Sequence, residues 1–253
     1  MTRTPDGGDD ALVALIRAND PLPDAPALAR EVHRAETRTR AALGGADAAP
    51  EGVAPHPVPD GDAPVAVHAV YAAPWGPAHL AVGAHGLVAM SLHQPEAGFI
   101  TDVEKRLHGR VAEMREPGVP DAWTALIDRT IAELDEYFAG SRTSFDIPVD
   151  LAGLSAWDRA VLGGATRLRY GEVTSYGRLA RMIGRPGAAR AVGGALGRNP
   201  VPIVVPCHRI LAGDGTLGGY GGGWTGERAE MLAIKSSLLT REGVRVPAAA
   251  LVG

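Results

Sequence analysis

The chain has 253 residues and a single cysteine, Cys207, so it must fold without an internal disulfide and rely on a buried apolar core. The apolar and proline-rich run before this cysteine predicts a short buried strand, Val201 to Val205, that ends at the thiol. His208 follows directly and is the only histidine after His108. An imidazole that accepts a thiol proton produces the nucleophilic thiolate. The pair indicates nucleophilic chemistry, although an isolated Cys-His neighbour pair is more often a small buried hydrophobe beside an unrelated histidine.

Composition and charge narrow the class of protein. With 45% hydrophobic and 21% charged residues, the chain can bury a sizeable core and form two small domains. No apolar run reaches the length of a membrane span and the N-terminal residues MTRTPDGGDD lack a signal peptide's apolar stretch, so we expect a cytoplasmic protein. From Leu151 onward there are 13 Lys and Arg against 6 Asp and Glu, whereas the preceding residues carry 12 against 23. The basic half favours a polyanion such as DNA as partner, although a charge excess alone is more often only a solvated face.

Residues 1–64 form an acidic leader rich in Ala, Asp and Pro that we expect to be partly disordered, and its span from Ala46 to Pro64 has the composition of a flexible linker that cannot bury a core. Within it, Asp10 to Ala18 and Pro26 to Leu43 have helical composition and allow a small helical pair. Residues 65–150 are expected to form a small domain. Alternating apolar residues there predict strands, two of them joined in antiparallel fashion at Gly83 to Gly86. A helix over Trp123 to Ala139 and an extended link, FDIPVDL, follow.

Residues 151–253 begin with a predicted helix, Ser155 through Ala165, and continue into a helix-turn-helix pattern. Thr174 and Ser175 are N-cap residue types for a helix that runs to Ile183, and a glycine-containing turn separates it from a second helix near Ala188. Many helical hairpins bind nothing, so this pattern is of modest specificity. The second helix, AARAVGGALG, has almost no side-chain bulk. Such a helix either packs closely on another helix or enters a narrow groove.

The stretch YGEVTSYGRLARMIGRPGAARAVGGALGRNPVPIVVPC, followed by HRI and by GGYGGG from Gly218, closely resembles the catalytic domain of the O6-alkylguanine-DNA alkyltransferases. The resemblance extends from about Leu154 to Val244. It implies an α+β protein with a small N-terminal α/β domain, similar to ribonuclease H, and a mainly helical C-terminal domain with a helix-turn-helix and an active-site cysteine. It also implies a monomeric repair protein that flips O6-alkylguanine out of duplex DNA and transfers the alkyl group irreversibly to Cys207. O4-alkylthymine is a second candidate substrate.

The resemblance also assigns roles to individual residues. Cys207 is the acceptor, His208 takes its proton through a water, and Glu242 orients the histidine within the pattern Lys235, Leu238, Leu239, Glu242, Gly243. Asn199 braces the nucleophile, and Tyr176 acts on the 3′ phosphate and assists guanine as the leaving group. Arg190 enters the base stack, and its helix approaches the minor groove through Ala189, Ala191, Gly193 and Gly194. The base pocket is expected to consist of Pro202, Tyr220, Gly221, Gly222 and Gly223.

We expect neither a cofactor nor a metal, because the histidines of the N-terminal half lack partner cysteines or carboxylates at ligand spacing: His68, His79, His85 and His93. Two departures from the family pattern are present. About eight additional residues, Trp224 to Met231, lie between Gly223 and Lys235 and could reshape the mouth of the pocket. Trp157, Asp158 and Leu162 stand where the family more usually has Phe, Gln and Trp, which we interpret as packing changes.

Two other functions remain open from the sequence. An alkyltransferase-like lesion sensor would flip the damaged base without transferring anything, but such proteins replace the cysteine that is present here. A cysteine hydrolase would use the same Cys-His pair, but it would need an oxyanion hole and would have to turn over. It would also give no function to the thin helix, by which we mean the second helix, AARAVGGALG, with its small side chains.

Overall fold

A computed structural model describes residues 63–221 and 227–247. The helical pair predicted within residues 10–43 lies outside these described residues. The first part of the described chain folds into four strands and two helices: β1 (Ala66–Ala73), β2 (Gly76–Gly83), β3 (Gly86–Ser91), α1 (Glu96–Leu107), β4 (Val111–Glu113) and α2 (Asp121–Ala139).

The four strands form one sheet in the order β3-β2-β1-β4, in which only the β1–β4 pair is parallel. The antiparallel connection predicted at Gly83 to Gly86 is therefore confirmed. Gly86 has a φ of 138°, and a Cβ there would lie 2.5 Å from the carbonyl oxygen of Pro148. A glycine at this position lets the extended link approach, and Leu87 exchanges backbone hydrogen bonds with Pro148 and Asp150.

The two faces of the sheet are covered by different helices, as the alternation of strand side chains requires. Val67 and Leu80 pack in the same core cluster as Ile127 and Leu134 of α2. Residues on the opposite face pack with α1: Ala66, Ala81 and Val88 meet Phe99, Val103 and Leu107. Helix α2 begins two residues before the predicted Trp123. Sequence patterning missed α1, because its buried face consists of only three apolar side chains among charged neighbours.

The second part of the described chain is mainly helical and carries the cysteine. Its elements are α3 (Ala156–Ala165), β5 (Thr174–Ser175), α4 (Tyr176–Met182), α5 (Ala189–Gly197), a 3₁₀ turn (Cys207–Arg209), β6 (Ile210–Leu211) and α6 (Arg228–Arg241). Ser155 and Ser175 cap α3 and α4, since their hydroxyls accept from the backbone N–H groups of Asp158 and Arg178. Helices α4 and α5 are the two helices of the predicted helix-turn-helix. The expected α+β fold is confirmed.

The strand predicted over Val201 to Val205 is wrong. This segment is a buried tight turn in which Val204 and Val205 donate backbone hydrogen bonds to the carbonyls of Pro202 and Val201. Ile203 lies in the left-handed region with a φ of 71°. Three prolines in the segment from residue 200 to 206 lack the N–H that a strand interior needs, so an apolar run that is buried on all sides turns instead of extending. Cys207 consequently begins a 3₁₀ turn.

The sheet and the helical part contact each other directly. The backbone N–H of Met90 in β3 donates to the carbonyl of Pro200 at 2.7 Å, so the sheet edge supports the turn that precedes the cysteine. Apolar side chains of both parts belong to one continuous core. Within the described residues, no helix has the length and apolar character needed to cross a membrane.

Candidate active site

The Cys207 thiol is buried and held by a side-chain amide. Asn199 Nδ2 donates to Cys207 Sγ at 3.1 Å and to the carbonyl of Val205 at 2.9 Å, while its Oδ1 accepts from the N–H of Val201 at 3.0 Å. One asparagine thus fixes the turn and the sulfur together. Burial raises the pKa of the Cys207 thiol, and the Asn199 amide and the charge of Lys235 oppose this rise. The resting side chain is therefore a thiol in a site that already carries groups favouring its anion.

His208 lies beside the cysteine with no exposed surface, and its Nε2 is 2.9 Å from Glu242 Oε1. Burial lowers the pKa of His208, although hydrogen bonding to Glu242 opposes the change, so the ring is neutral at neutral pH. Because the carboxylate can only accept, the ring proton sits on Nε2. The other nitrogen, Nδ1, is then an acceptor, and it has no protein partner within the described part of the chain. This arrangement leaves His208 ready to take up a proton at Nδ1.

Glu242 is fixed by several donors besides the histidine. Arg209 donates from Nε and Nη2 to the two carboxylate oxygens at 2.8 and 2.9 Å, and the Tyr137 hydroxyl donates to Oε1 at 2.9 Å. Burial alone would raise the pKa of Glu242, but hydrogen bonds from His208 and Arg209 outweigh it and bring the pKa to about 2. The carboxylate is therefore ionised at every physiological pH. Sequence reasoning missed Tyr137, which reaches the site from α2.

Lys235 is a fully buried cation next to the site, and sequence reasoning used it only as part of a pattern. Its Nζ donates to the backbone carbonyls of Ile210, Leu217 and Gly219 at 2.6, 2.7 and 3.1 Å. Burial lowers the pKa of Lys235 to about 7, and the neighbouring Cys207 opposes this effect. A protonated Lys235 stabilises negative charge on the sulfur. The signal in the sequence was a lone lysine in an otherwise apolar helical stretch.

A small cavity of about 80 Å³ opens beside the sulfur. It is lined by Tyr176, Gly193, Leu196, Gly197, Cys207, Gly219, Tyr220 and Gly221. The structure therefore brings the predicted Tyr176, Gly193, Tyr220 and Gly221 together around Cys207. Pro202 is buried in the preceding turn and does not line this cavity. Gly222 and Gly223 lie outside the described residues.

Tyr176 forms one wall of the cavity at the start of α4. Its hydroxyl accepts from the N–H of Gly219 at 3.2 Å, and burial raises its pKa, so it stays protonated at neutral pH. Gly218 has a φ of 71°, and a Cβ there would lie 2.8 Å from Tyr176 Oη. The Tyr176 ring can form this wall only because residue 218 is a glycine, which has no side chain to collide with the ring.

Helix α5 presents a nearly bare face to solvent. Val192, Ala195 and Leu196 are buried, whereas Arg190, Ala191 and Gly194 are exposed and Ala189 and Gly193 are half-buried. A Cβ on Gly193 would lie 3.8 Å from the Tyr176 ring, which links this helix to the cavity. Arg190 is thus on the exposed face, near the positive N-terminal end of the helix.

The histidines of the sheet, at which we expect no metal site, include one buried pair. His68 Nε2 and His79 Nδ1 lie 3.1 Å apart in a buried pair between β1 and β2. Across residues 63–221 and 227–247, no three His, Cys, Asp or Glu side chains are grouped so that they could hold a metal ion.

Two family models match most of the described chain. Residues 66–151 match the 6-O-methylguanine DNA methyltransferase ribonuclease-like domain, and residues 156–244 match the DNA binding domain of the same family. The chain is 48% identical over 118 residues to a methylated-DNA–protein-cysteine methyltransferase of Mycolicibacterium paratuberculosis, covering 47% of this chain and 66% of the relative. It is 46% identical over 117 residues to the protein of that name from Mycobacterium bovis, covering 46% of this chain and 68% of the relative.

Solved structures give the same comparison in three dimensions. The structure of Mycobacterium tuberculosis OGT in complex with DNA has a TM-score of 0.54 and 33% identity, covering 74% of this chain and 99% of that one. The structure of the O6-methylguanine methyltransferase of the same organism has a TM-score of 0.54 and 34% identity, covering 72% of this chain and 96% of the other.

Proposed function

Because the chain belongs to the 6-O-methylguanine DNA methyltransferase family, we propose that it repairs DNA by moving the alkyl group of O6-alkylguanine onto its own Cys207. Residues 65–150 act as a supporting domain, and residues 151–253 bind DNA and carry out the reaction. The observation that carries this proposal is the pairing of an amide-held thiol with a buried His-Glu pair beside a small cavity. The protein acts as a monomer in the cytoplasm, on alkylguanine and on alkylthymine as a second substrate.

The transfer is a displacement at the alkyl carbon. A new bond forms between Cys207 Sγ and this carbon while the bond from the carbon to guanine O6 breaks, and the electron pair of the broken bond stays on guanine. The thiol proton passes through a water to His208 Nδ1, and Glu242 stabilises the imidazolium that results. Asn199 and Lys235 stabilise the negative charge that develops on sulfur before the new bond is complete.

Guanine leaves more easily when a ring nitrogen receives a hydrogen bond or a proton. The Tyr176 hydroxyl is protonated, lines the cavity and is held by Gly219, so it serves as this donor. The product is a thioether at Cys207, which is stable to water. With no second nucleophile to remove the alkyl group, each molecule reacts once.

The thin helix α5 supports the extrusion of the damaged base. Its small exposed residues allow the backbone to approach the minor groove, and Arg190 occupies the space that the flipped nucleotide leaves. In this proposal Tyr220 and Gly221, which line the cavity beside the sulfur, contribute to the pocket for the flipped base.

A stoichiometry experiment separates this function from the two alternatives. The protein is mixed with an excess of duplex DNA containing O6-methylguanine, and repaired guanine is counted against protein. We expect one equivalent of guanine and then no further reaction. Continued turnover would identify a hydrolase, and tight binding without any repaired guanine would identify a lesion sensor.

A further inference from the structure

Two side chains of α3 that depart from the family pattern both reach the thin helix α5. Trp157 Nε1 donates to the carbonyl of Ala191 at 3.2 Å, near the start of α5. Asp158 accepts from Arg198, the residue that ends α5, through Nε at 3.2 Å and Nη2 at 2.5 Å. These contacts join α3 to both ends of α5, so the departures do more than change packing.

The Asp158–Arg198 pair is unequal in its exposure. The aspartate side chain is 7% exposed, whereas the arginine side chain is 56% exposed. Burial alone would raise the pKa of Asp158, but hydrogen bonds from Arg198 and Ser155 outweigh it and lower the pKa, so the carboxylate is ionised. Exposed ion pairs usually contribute little to stability. A two-point contact to a buried carboxylate, however, fixes the plane of the guanidinium.

The exposed guanidinium lies along the bare face of α5. Arg190, Ala191, Gly194 and Arg198 are the exposed residues of this helix and its C-cap, and their spacing of three and four positions puts them on one face. Arg198 Nη1, which Asp158 does not contact, lies 3.5 Å from the place where a Cβ of Gly194 would be. At 1.5 Å of rise per residue, Arg190 and Arg198 are separated by about 12 Å along the helix.

We propose that Arg198 is a second DNA-binding arginine of α5, which donates from Nη1 to a backbone phosphate, and that Asp158 is the positioning residue that orients it. This proposal rests on the proposed function, because it requires that the bare face of α5 meets DNA. A guanidinium held in one plane binds a phosphate without first ordering a long flexible side chain.

The test uses three variants and one charge control in the full-length protein. Arg198→Gln removes the proposed contact, Arg198→Lys keeps the charge, and Asp158→Asn removes the orienting carboxylate. Arg115→Gln is the control, because it makes the same change of net charge at an exposed site next to β4. Affinity for undamaged duplex is measured over a range of salt concentrations, and transfer is measured with alkylated duplex and with free O6-methylguanine. Thermal unfolding of each variant establishes that it is folded.

We expect Arg198→Gln to weaken duplex binding about tenfold at low salt and to reduce the salt slope by about one, because one phosphate contact is lost. Arg198→Lys and Arg115→Gln should keep the wild-type slope. Asp158→Asn should keep the slope, because the positive charge of Arg198 remains, but should weaken duplex binding about two- to threefold, because the guanidinium is no longer held in one plane and must be ordered on binding. Reaction with free base should stay within about twofold of wild type in all variants, because the base alone needs no phosphate contact.

An unchanged salt slope in Arg198→Gln would overturn the proposal. Equal losses of affinity in Arg198→Gln and Asp158→Asn would also overturn it, since the pair would then only brace α5. Failure of the proposed function is recognised separately: wild-type protein would then not transfer an alkyl group to itself from either substrate.

Discussion

At the scale of single residues, the pKa of His208 determines when the site can react. Burial lowers this pKa, so the neutral ring that accepts the thiol proton is present throughout neutral pH. Glu242 has a pKa of about 2 and does not titrate in this range. The Cys207 thiolate is therefore generated when the substrate is in place, by proton transfer from the neutral thiol to the neutral His208. The Glu242 carboxylate then stabilises the charged histidine that forms.

The Glu242→Gln variant should transfer the alkyl group about tenfold or more slowly than the wild type, because a neutral amide stabilises the imidazolium of His208 far less than a carboxylate does. In the wild type the rate should fall below the ordinary titration range of histidine, where His208 takes up a proton, and should also fall as pH rises through about 7, where Lys235 loses the proton that stabilises negative charge on sulfur. Single-turnover rates at a series of pH values measure both effects. A wild-type rate that stays constant as pH rises through about 7, or a variant as fast as the wild type while still folded, would contradict the assigned roles.

Gly218 is the second residue whose change has a definite expected outcome. Gly218→Ala places a methyl group 2.8 Å from Tyr176 Oη at a position with a φ of 71°, so either the ring or the loop must move. We expect transfer to slow by about tenfold or more, since the leaving-group donor is displaced. Gly213→Ala is the matched control, because a Cβ there meets nothing within 4 Å. Similar single-turnover rates for the two variants would show that the position of Tyr176 does not matter.

At the scale of elements, α5 owes its function to the absence of side chains on one face and to the contacts that hold its other face. Val192, Ala195 and Leu196 anchor it in the core, and α3 contacts both of its ends. Such a helix offers its backbone to a groove at the cost of intrinsic helical stability, because glycine is less favourable in a helix than alanine by roughly 1 kcal/mol. The core contacts compensate for that loss.

Arg190→Ala tests the role of this element. Repair of duplex should fall by about tenfold or more, because holding the flipped state against restacking is worth a few kcal/mol. Reaction with free O6-methylguanine should be nearly unchanged, since no base needs to be extruded. The measurement is the ratio of the two second-order rate constants. An equal loss on both substrates would mean that Arg190 acts within the pocket and not in the base stack.

Particular residues show which features the sequence could predict. Cys207 and His208 are neighbours in the chain and could be paired from the sequence alone, whereas Asn199 and Glu242 were predicted only because they match motifs of the family that the chain resembles. Tyr137 was not predictable, because it reaches Glu242 across 105 positions from a helix whose apolar spacing suggested only core packing. The strand before Cys207 was predicted wrongly because hydrophobicity indicates burial but not direction, and the prolines determined the turn. The ion pair of Asp158 with Arg198 joins two elements whose relative placement only the fold defines.

At the scale of the whole molecule, a buried histidine pair links the stability of the sheet to pH. Burial lowers the pKa values of His68 and His79, although Glu96 opposes the effect on both and Glu113 opposes it on His68. The unfolded chain therefore binds protons at a higher pH than the folded chain does. The contribution of these two histidines to the free energy of unfolding is fully present above the ordinary histidine pKa. It is lost as pH falls below that value, because the unfolded chain then takes up protons that the folded chain does not. A displacement of one pKa unit corresponds to about 1.4 kcal/mol for each histidine.

The corresponding prediction uses the double variant His68→Leu with His79→Leu. Its free energy of unfolding should change less between pH 7 and pH 5 than that of wild type, because the two groups that take up protons on unfolding are gone. Denaturant titrations at the two pH values measure this difference, and His85→Gln, at an exposed turn, is the control. If the double variant kept the full wild-type pH dependence, the acid-sensitive groups would lie elsewhere.

Peptide mass spectrometry of the protein after reaction with one equivalent of O6-methylguanine duplex shows directly whether Cys207 receives the alkyl group. We expect the wild-type peptide containing Cys207 to gain the mass of one CH₂ group and no other peptide to change. Cys207→Ser should gain nothing while still binding the alkylated duplex, because a serine hydroxyl is far less acidic than a thiol and similar in size. Alkylation at any other residue, or alkyl transfer by the serine variant, would show that Cys207 is not the acceptor.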